Sequence, residues 1–270
     1  MMFDLSAAGE QPVASVAAAS ERLAADGFVV ARAVLDGAAV ASLAARVEAL
    51  FASPHPQSRQ VLYVDGQVPP ETPPLDRLLH QWLNPHRLGA LGTTDLLDAP
   101  RRIAAALLDA APVLFQDLLL VKTPEQARFP WHQDFPFWPV DAPRGVVCWI
   151  PLVTSEAAGG GLTFARGSHH LGVQPAMDLH RGRPQAPGAA LASLDGFDAV
   201  CPPLRPGDAV FFSPLVMHGS PPRRASGRRA AWSSIWLHPS VRWHHARAPA
   251  HPLCKVVTDG APVSEWAAGG

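Results

Sequence analysis

The chain has 270 residues, 48% of them apolar, and a formal net charge of −1. That balance excludes the global basic field on which nucleic-acid and anionic-membrane binding rely. No uninterrupted apolar run reaches the roughly 18 residues needed to cross a bilayer. Met1 to Glu10 carries an acidic residue and no basic region ahead of an apolar stretch, so the sequence reads as a soluble, cytoplasmic protein. Cys148, Cys201 and Cys254 lie far apart with no Cys-x-x-Cys, as expected of buried thiols in a reducing compartment. Of 22 basic residues only Lys122 and Lys255 are lysine, which together with 29 prolines suggests a GC-rich bacterial genome.

In chain order, Ala14–Ala25 and Gly37–Phe51 have helical spacing, as in Val40, Leu43, Val47 and Leu50. Between them Asp26-Gly27-Phe28-Val29-Val30-Ala31-Arg32 reads as a strand entered from a turn. Residues 53–74 read as a loop around one short strand, Val61–Val64, on the rim of a pocket. Leu75–Leu83 and Pro100–Ala110 read as helices, the second with proline where a first turn tolerates it. The core begins at Val113, with strands predicted over Val113–Lys122, the stretch around His132, Val146–Val153, Leu162–Ala165, Asp208–Ser213, Val216–Gly219 and Arg229–His238. Glu156–Gly161 is a glycine-rich turn feeding a strand, and it lacks the Gly-Lys-Ser/Thr ending of a phosphate loop. Gly172–Ala199 shows little periodicity and reads as a functional loop, a lid over the site. Pro249–Gly270 reads as an irregular tail. The expectation is one domain over 1–270: a helical part to about 112, a β core over about 113–240, then the tail. Short strands with candidate ligands on separate strands point to a mainly β fold with flanking α-helices, a double-stranded β-helix of the jelly-roll or cupin-like kind.

Chemistry concentrates in Trp131-His132-Gln133-Asp134-Phe135-Pro136-Phe137-Trp138-Pro139. Residues two apart on a strand share a face, so His132 and Asp134 can close on one metal ion. A second imidazole completes the two-histidine, one-carboxylate set that leaves open positions on non-haem Fe(II), and His218 in Leu215-Val216-Met217-His218-Gly219-Ser220 is the candidate. Arg229 follows His218 by 11 positions, after Gly227-Arg228, and begins a strand. An arginine fork is the side chain suited to holding a buried carboxylate. Trp131, Gln133, Phe135, Phe137 and Trp138 surround the ligands, with Phe135 and Phe137 expected on one face. They read either as the wall of an apolar substrate site or as plain core. His169, His170, His244 and His245 have no metal-site spacing, and Arg223, Arg224 and Arg228 form a small basic turn.

His-x-Asp, a distal His-Gly-Ser and an arginine after Gly-x at this spacing resemble the phytanoyl-CoA dioxygenase-like branch of the Fe(II)- and 2-oxoglutarate-dependent oxygenases. The helix, Asp26–Arg32 strand, helix order resembles that family's N-terminal part. Ala165-Arg166-Gly167-Ser168-His169 is similar to its Pro-Gly-Ser-His turn, with Arg166 where proline is common. The resemblance implies that His132, Asp134 and His218 hold Fe(II), and that Arg229 and Ser220 bind the far carboxylate of 2-oxoglutarate, with O2 as the other co-substrate. It also implies that Trp149, Lys122 and Gln116 border the co-substrate, against the alternatives that Trp149 is core and Lys122 a solvated strand end. The implied activity is a dioxygenase of hydroxylase type acting on a small molecule, apolar or carrier-linked, in bacterial secondary metabolism. The halogenases of the family lack the carboxylate ligand, which Asp134 supplies here. The competing reading is a non-redox cupin-like module holding Zn(II) on the same three ligands, which has no use for Arg229 and Ser220.

Overall fold

A computed structural model of the chain describes residues 4–6, 12–13, 15–52, 59–63, 78–87, 93–122, 128–179, 183–222 and 226–268. The elements in order are β1 (Asp4–Ser6), β2 (Pro12–Val13), α1 (Val16–Asp26), β3 (Phe28–Arg32), α2 (Gly37–Ala52), β4 (Arg59–Tyr63), β5 (Leu78–Leu83), α3 (Asp98–Leu108) and β6 (Val113–Lys122). There follow β7 (Phe129–His132), β8 (Gly145–Pro151), β9 (Thr163–Ala165), β10 (Met177–Asp178), β11 (Arg183–Pro184), β12 (Ala199–Val200), β13 (Ala209–Phe212), β14 (His218–Ser220) and β15 (Arg229–Leu237). A nine-stranded antiparallel sheet runs β2-β1-β3-β13-β8-β15-β6-β5-β4, and a four-stranded sheet runs β12-β9-β14-β7. Together they are the two walls of a double-stranded β-helix.

Strands β3, β13, β8, β15 and β6 of the large sheet are buried on both faces, and their register sorts the side chains. Val29, Ala31, Phe211, Cys148, Ile150, Trp232 and Trp236 face outward and pack with Leu43, Val47, Ile103 and Ala104 of the helices. Phe28, Val30, Val210, Phe212, Val147, Trp149, Ala231 and Ile235 face inward, toward Phe135, Phe164 and Val216 of the second wall. Each such large apolar side chain contributes on the order of 1.5–3 kcal/mol when removed from water. Helix α1 begins where Ser15 Oγ accepts from Ala18 N (3.2 Å) and ends at Gly27, whose φ of +84° closes it with a bond from Gly27 N to Leu23 O. A side chain at Gly27 would also collide with His169 Nδ1 at 2.7 Å, so the strand that follows can only enter through glycine.

Four expectations change. Leu78–Leu83 is a strand, not part of a helix: it pairs antiparallel with β4 and with Val121–Leu118 of β6, and edge pairing overrides its helical composition. The short strand expected at Val61–Val64 runs over Arg59–Tyr63, and most of the surrounding 53–74 segment lies outside the described residues. The segment 172–199 is not structureless. It holds the β10–β11 ribbon, and Gln174 stitches it by donating to Leu171 O (3.1 Å) and accepting from Ala192 N (3.0 Å), side-chain amides replacing a ladder. The tail is built into the fold: Leu253 and Val263 are buried, Val263 N donates to Val241 O, and His244 N donates to Pro139 O at 2.7 Å.

Outside the barrel, Asp117 is fully buried. Its carboxylate takes His86 Nδ1 at 2.5 Å, Trp232 Nε1 at 3.0 Å and the Thr93 hydroxyl, which fastens His86 and Thr93 to the sheet. Nothing in the spacing of these residues announces the cluster, because its members are brought together only by the packed sheet.

Candidate metal centre

His132 ends β7 and His218 begins β14, and the two are register partners across the small sheet. Their rings lie 4.2 Å apart, centroid to centroid. Each ring is aimed by its own chain: His132 Nδ1 donates to Pro130 O (2.9 Å) and His218 Nδ1 to Val216 O (3.0 Å). With Nδ1 carrying the proton, Nε2 of each ring is left as a lone pair facing the interior. Asp134 does not share the strand face with His132 as period two would have it. The strand ends at His132, and Asp134 (φ −78°, ψ −38°) turns into a 3-10 helix, Phe135–Phe137, whose Pro136 suits a first turn. Both Asp134 N and Phe135 N donate to Pro214 O, and that anchor swings the carboxylate back between the imidazoles.

Asp134 Oδ1 lies 3.6 Å from each Nε2, and the three donor atoms fall within 4.8 Å of one another. At 3.6 Å neither approach is a hydrogen bond. Two ligand bonds of about 2.1 Å, at right angles or wider, separate their donors by about 3.0 to 3.6 Å. The donor set therefore fits one ion, and two imidazoles with one carboxylate is the set that suits non-haem iron. Burial and then His132 push the His218 imidazole down to about 4, so it is neutral and ready to ligate at neutral pH. Burial alone would raise the Asp134 carboxyl, but His218 and His132 draw it below the usual carboxylate range, keeping it anionic.

Gly219 is what lets this pair of strands meet, since a Cβ there would stand 2.8 Å from Phe129 O. Ser168, fully buried in the Arg166-Gly167-Ser168-His169 turn, accepts from Met217 N at 2.8 Å and so steadies the residue before His218. That support was not among the expected site residues, although the Gly-Ser-His turn was the visible signal for it.

A second cluster lies at one end of the inner face. Arg229 and Lys122 are register partners on β15 and β6, and both are buried, Lys122 to 2% exposure. Lys122 is thus no solvated strand end. Its Nζ donates to Ser220 Oγ (2.9 Å) and Pro221 O (2.7 Å). The Arg229 guanidinium donates to Gly160 O and lies 5.5 Å from the centroid of the buried Trp149 ring. Gly160 has φ +73°, which turns its carbonyl to that position. Arg229, Lys122, Ser220 and Trp149 therefore converge, and two buried cations with a hydroxyl are a set that can hold an anionic group.

Gln116 does not join them. It stands six positions before Lys122 on the same strand, about 20 Å away along it. Gln133, expected at the substrate, is spent on the backbone: it donates to Gly172 O (2.9 Å) and Leu215 O (2.6 Å) and accepts from Gln174 N (2.7 Å). Phe135 and Trp138 are buried in the inner core, and the 3-10 turn separates Phe135 from Phe137, which is half-buried with its ring 6.4 Å from that of His132. Trp131 is half-buried on β7.

Fold and site together define a double-stranded β-helix with a two-histidine, one-carboxylate centre. The chain belongs to the phytanoyl-CoA dioxygenase (PhyH) family, whose model matches residues 23–231. A curated relative from Caenorhabditis elegans, a probable phytanoyl-CoA dioxygenase, is 29% identical over 128 residues, which is 43% of this chain and 39% of the relative. Among solved structures, the non-heme alpha ketoglutarate dependent carbocyclase SnoK from nogalamycin biosynthesis superposes with a TM-score of 0.72 at 19% identity, over 90% of this chain and 91% of SnoK. The epimerase SnoN, in complex with Fe3+, alpha ketoglutarate and nogalamycin RO, gives 0.72 at 21% identity, over 92% and 94% of the two chains. At these identities the two structures establish the shared fold. No helix among the described residues is long and apolar enough to cross a membrane.

Proposed function

We propose that the protein is an Fe(II)- and 2-oxoglutarate-dependent dioxygenase that hydroxylates an unactivated C–H bond of a small molecule of bacterial secondary metabolism. The observation that carries this reading is the pairing of two clusters between the two sheets: three metal donors at the small sheet, and Arg229 and Lys122 on the large one, with Ser220 of the small sheet bonded to Lys122. A non-redox metal module needs the first and has no use for the second. When bound, iron with 2-oxoglutarate and O2 supplies the oxidising power for C–H attack, with succinate and carbon dioxide as co-products.

The chain's own residues do the following. His132 and His218 offer Nε2 because their Nδ1 protons are held by backbone carbonyls. Asp134 contributes negative charge and fills the position that halogenases leave open, which favours oxygen insertion over halogenation. Arg229 and Ser220 anchor the far carboxylate of 2-oxoglutarate, Trp149 walls it, and Lys122 adds a second cation and holds the Ser220 hydroxyl in place. The aromatic stack Phe28, Phe164 and Phe212, with centroids 4.7 and 5.2 Å apart, backs His218 and keeps water from that side. SnoN, an epimerase, and SnoK, a carbocyclase, share this fold, so the reaction outcome is read from the product.

Anaerobic titration with Fe(II) and 2-oxoglutarate tests the reading. A weak visible charge-transfer band is expected, absent in His132→Ala and weakened in Arg229→Ala. Folded protein that gives no band, and releases no succinate with any substrate offered, is a non-redox metal module instead.

A further inference from the structure

Strand β6 departs from regular pairing at one point. Ile235 stands opposite Gln116 and Trp236 opposite Leu114, so Phe115 is an extra residue without a cross-strand partner. Such a bulge breaks the alternation of faces, and bulges are over-represented beside active sites because they re-aim side chains. Here it turns two successive residues inward. Phe115 is buried in the inner cluster, whereas Leu114 packs with the outer one. Gln116 shares its face with its partner Ile235, which is in the inner cluster, because cross-strand partners point the same way.

The row across the sheet at this level reads Phe28, Phe212, Val147, Ile235, Gln116. The Phe212 ring is 4.9 Å from that of the ligand candidate His218. Gln116 is thus the polar end of an otherwise apolar row that passes beside the metal centre, and it is half-buried rather than sealed in.

Its orientation is set by the C-terminal segment, which packs on the same inward-facing side chains. His251, in the C-terminal segment, stacks on Phe115 with centroids 5.4 Å apart. Leu253 N donates to His251 Nδ1 at 3.2 Å, so that nitrogen is the acceptor and the proton sits on Nε2. Nε2 in turn donates to Gln116 Oε1 at 3.2 Å. With its oxygen engaged, Gln116 turns its NH2 the other way, and no described residue accepts from that NH2. Burial holds the His251 imidazole down to about 4, so at neutral pH the pair is uncharged.

We propose that Gln116 contacts the substrate, its carboxamide N–H groups donating to a neutral acceptor oxygen, a ketone or hydroxyl oxygen on an otherwise apolar body. His251 is the positioning residue that fixes which end of the amide is presented. This rests on the dioxygenase reading of the site, whose charge-transfer band is read separately.

The test uses the full chain loaded with Mn(II) and 2-oxoglutarate. The probes are cyclic ketones from cyclohexanone to anthrone, each paired with its parent hydrocarbon, and binding is read from metal-enhanced relaxation of ligand protons. The wild type is expected to hold ketones roughly three- to tenfold more tightly than hydrocarbons, the range for one hydrogen bond. Gln116→Leu, of similar volume, removes that preference while hydrocarbon binding persists, which also shows the variant to be folded. His251→Phe keeps the stack on Phe115 but frees the amide to rotate, so ketone preference falls and lactam probes with an N–H donor gain; a merely structural loss would weaken both alike. A wild type with no ketone preference anywhere in the panel overturns the proposal, as does a preference that survives in Gln116→Leu. If the Fe(II) band is present in either case, the dioxygenase reading stands and this inference alone fails.

Discussion

The two faces of the nine-stranded sheet are made by the same strands and do opposite work. Outward, apolar residues meet the helices, and the polar cluster of Asp117 with His86, Thr93 and Trp232 is closed by its own hydrogen bonds. Inward, polar groups stand at the edges of an apolar floor, Lys122 and Arg229 at one end, bonded to Ser220, Pro221 and Gly160, and Gln116 toward the other, its NH2 without an acceptor among the described residues. Alternation along β6 shows it most directly, since Asp117 and Gln116 are neighbours that serve different faces. The lesson is that burial of a polar group does not distinguish structure from function. Closure of its hydrogen bonds does.

Substitutions sharpen that contrast. The largest effect is expected at the metal centre: His132→Ala should abolish Fe(II) retention at stoichiometric loading, measured by metal analysis after desalting, and cut 2-oxoglutarate turnover at least about a thousandfold, with the melting temperature of the metal-free protein little changed. Next is the closed outer cluster. Asp117→Ala strands His86, Thr93 and Trp232 and should cost about 3 kcal/mol in urea unfolding, while Fe(II) retention by the folded fraction is kept. Retained stability there would mean that water or a repacked side chain replaces the carboxylate. Arg229→Ala should raise the 2-oxoglutarate concentration at half-saturation about 10- to 100-fold, the worth of a charge-assisted pair, with Arg229→Lys recovering only part. Gln133→Leu leaves Gly172 O, Leu215 O and Gln174 N without their partner, and faster proteolysis within 172–199 should appear before any loss of global stability.

The smallest effect concerns pH. His251 is held at about 4 in the folded chain against an ordinary 6.5. Above about 6.5 it is neutral in both states and contributes no pH dependence. As the pH falls toward 4 the unfolded chain takes up the proton first, so stability declines over that interval and levels off below it. His251→Phe should flatten this part of the stability profile. An unchanged slope would assign it to other groups.

Much of the site was legible because its spacing is local or fixed by strand order. His132 and Asp134 are two residues apart, and His218-Gly219-Ser220 and Arg229 sit on consecutive strands, so few arrangements are open to them. The route was less legible than the result: Asp134 reaches the metal centre from a 3-10 turn pinned by Pro214 O, 80 positions away in sequence, which no local pattern contains. Leu78–Leu83 failed for a related reason, since its strand state depends on an edge offered by β6. Neither Gln116 nor Gln133 stands where it was expected, Gln116 far along β6 from Lys122 and Gln133 bonded to the backbone, because an amide serves backbone, co-substrate and substrate alike and only its neighbours choose among them.

By itself, then, the amino-acid sequence determined the alternation of faces, the glycines at Gly27 and Gly219 where no side chain fits, and the set of donors able to hold a metal and a dicarboxylate. Tertiary structure alone decided which polar groups are closed and which stay open, through the Asp117 cluster, the bulge at Phe115 and the return of the C-terminal segment to place His251 on Gln116. The physical reason is range. Side-chain period and backbone sterics act over one to four residues, whereas hydrogen bonds and packing join residues such as Gln116 and His251, 135 positions apart, only once the sheet exists.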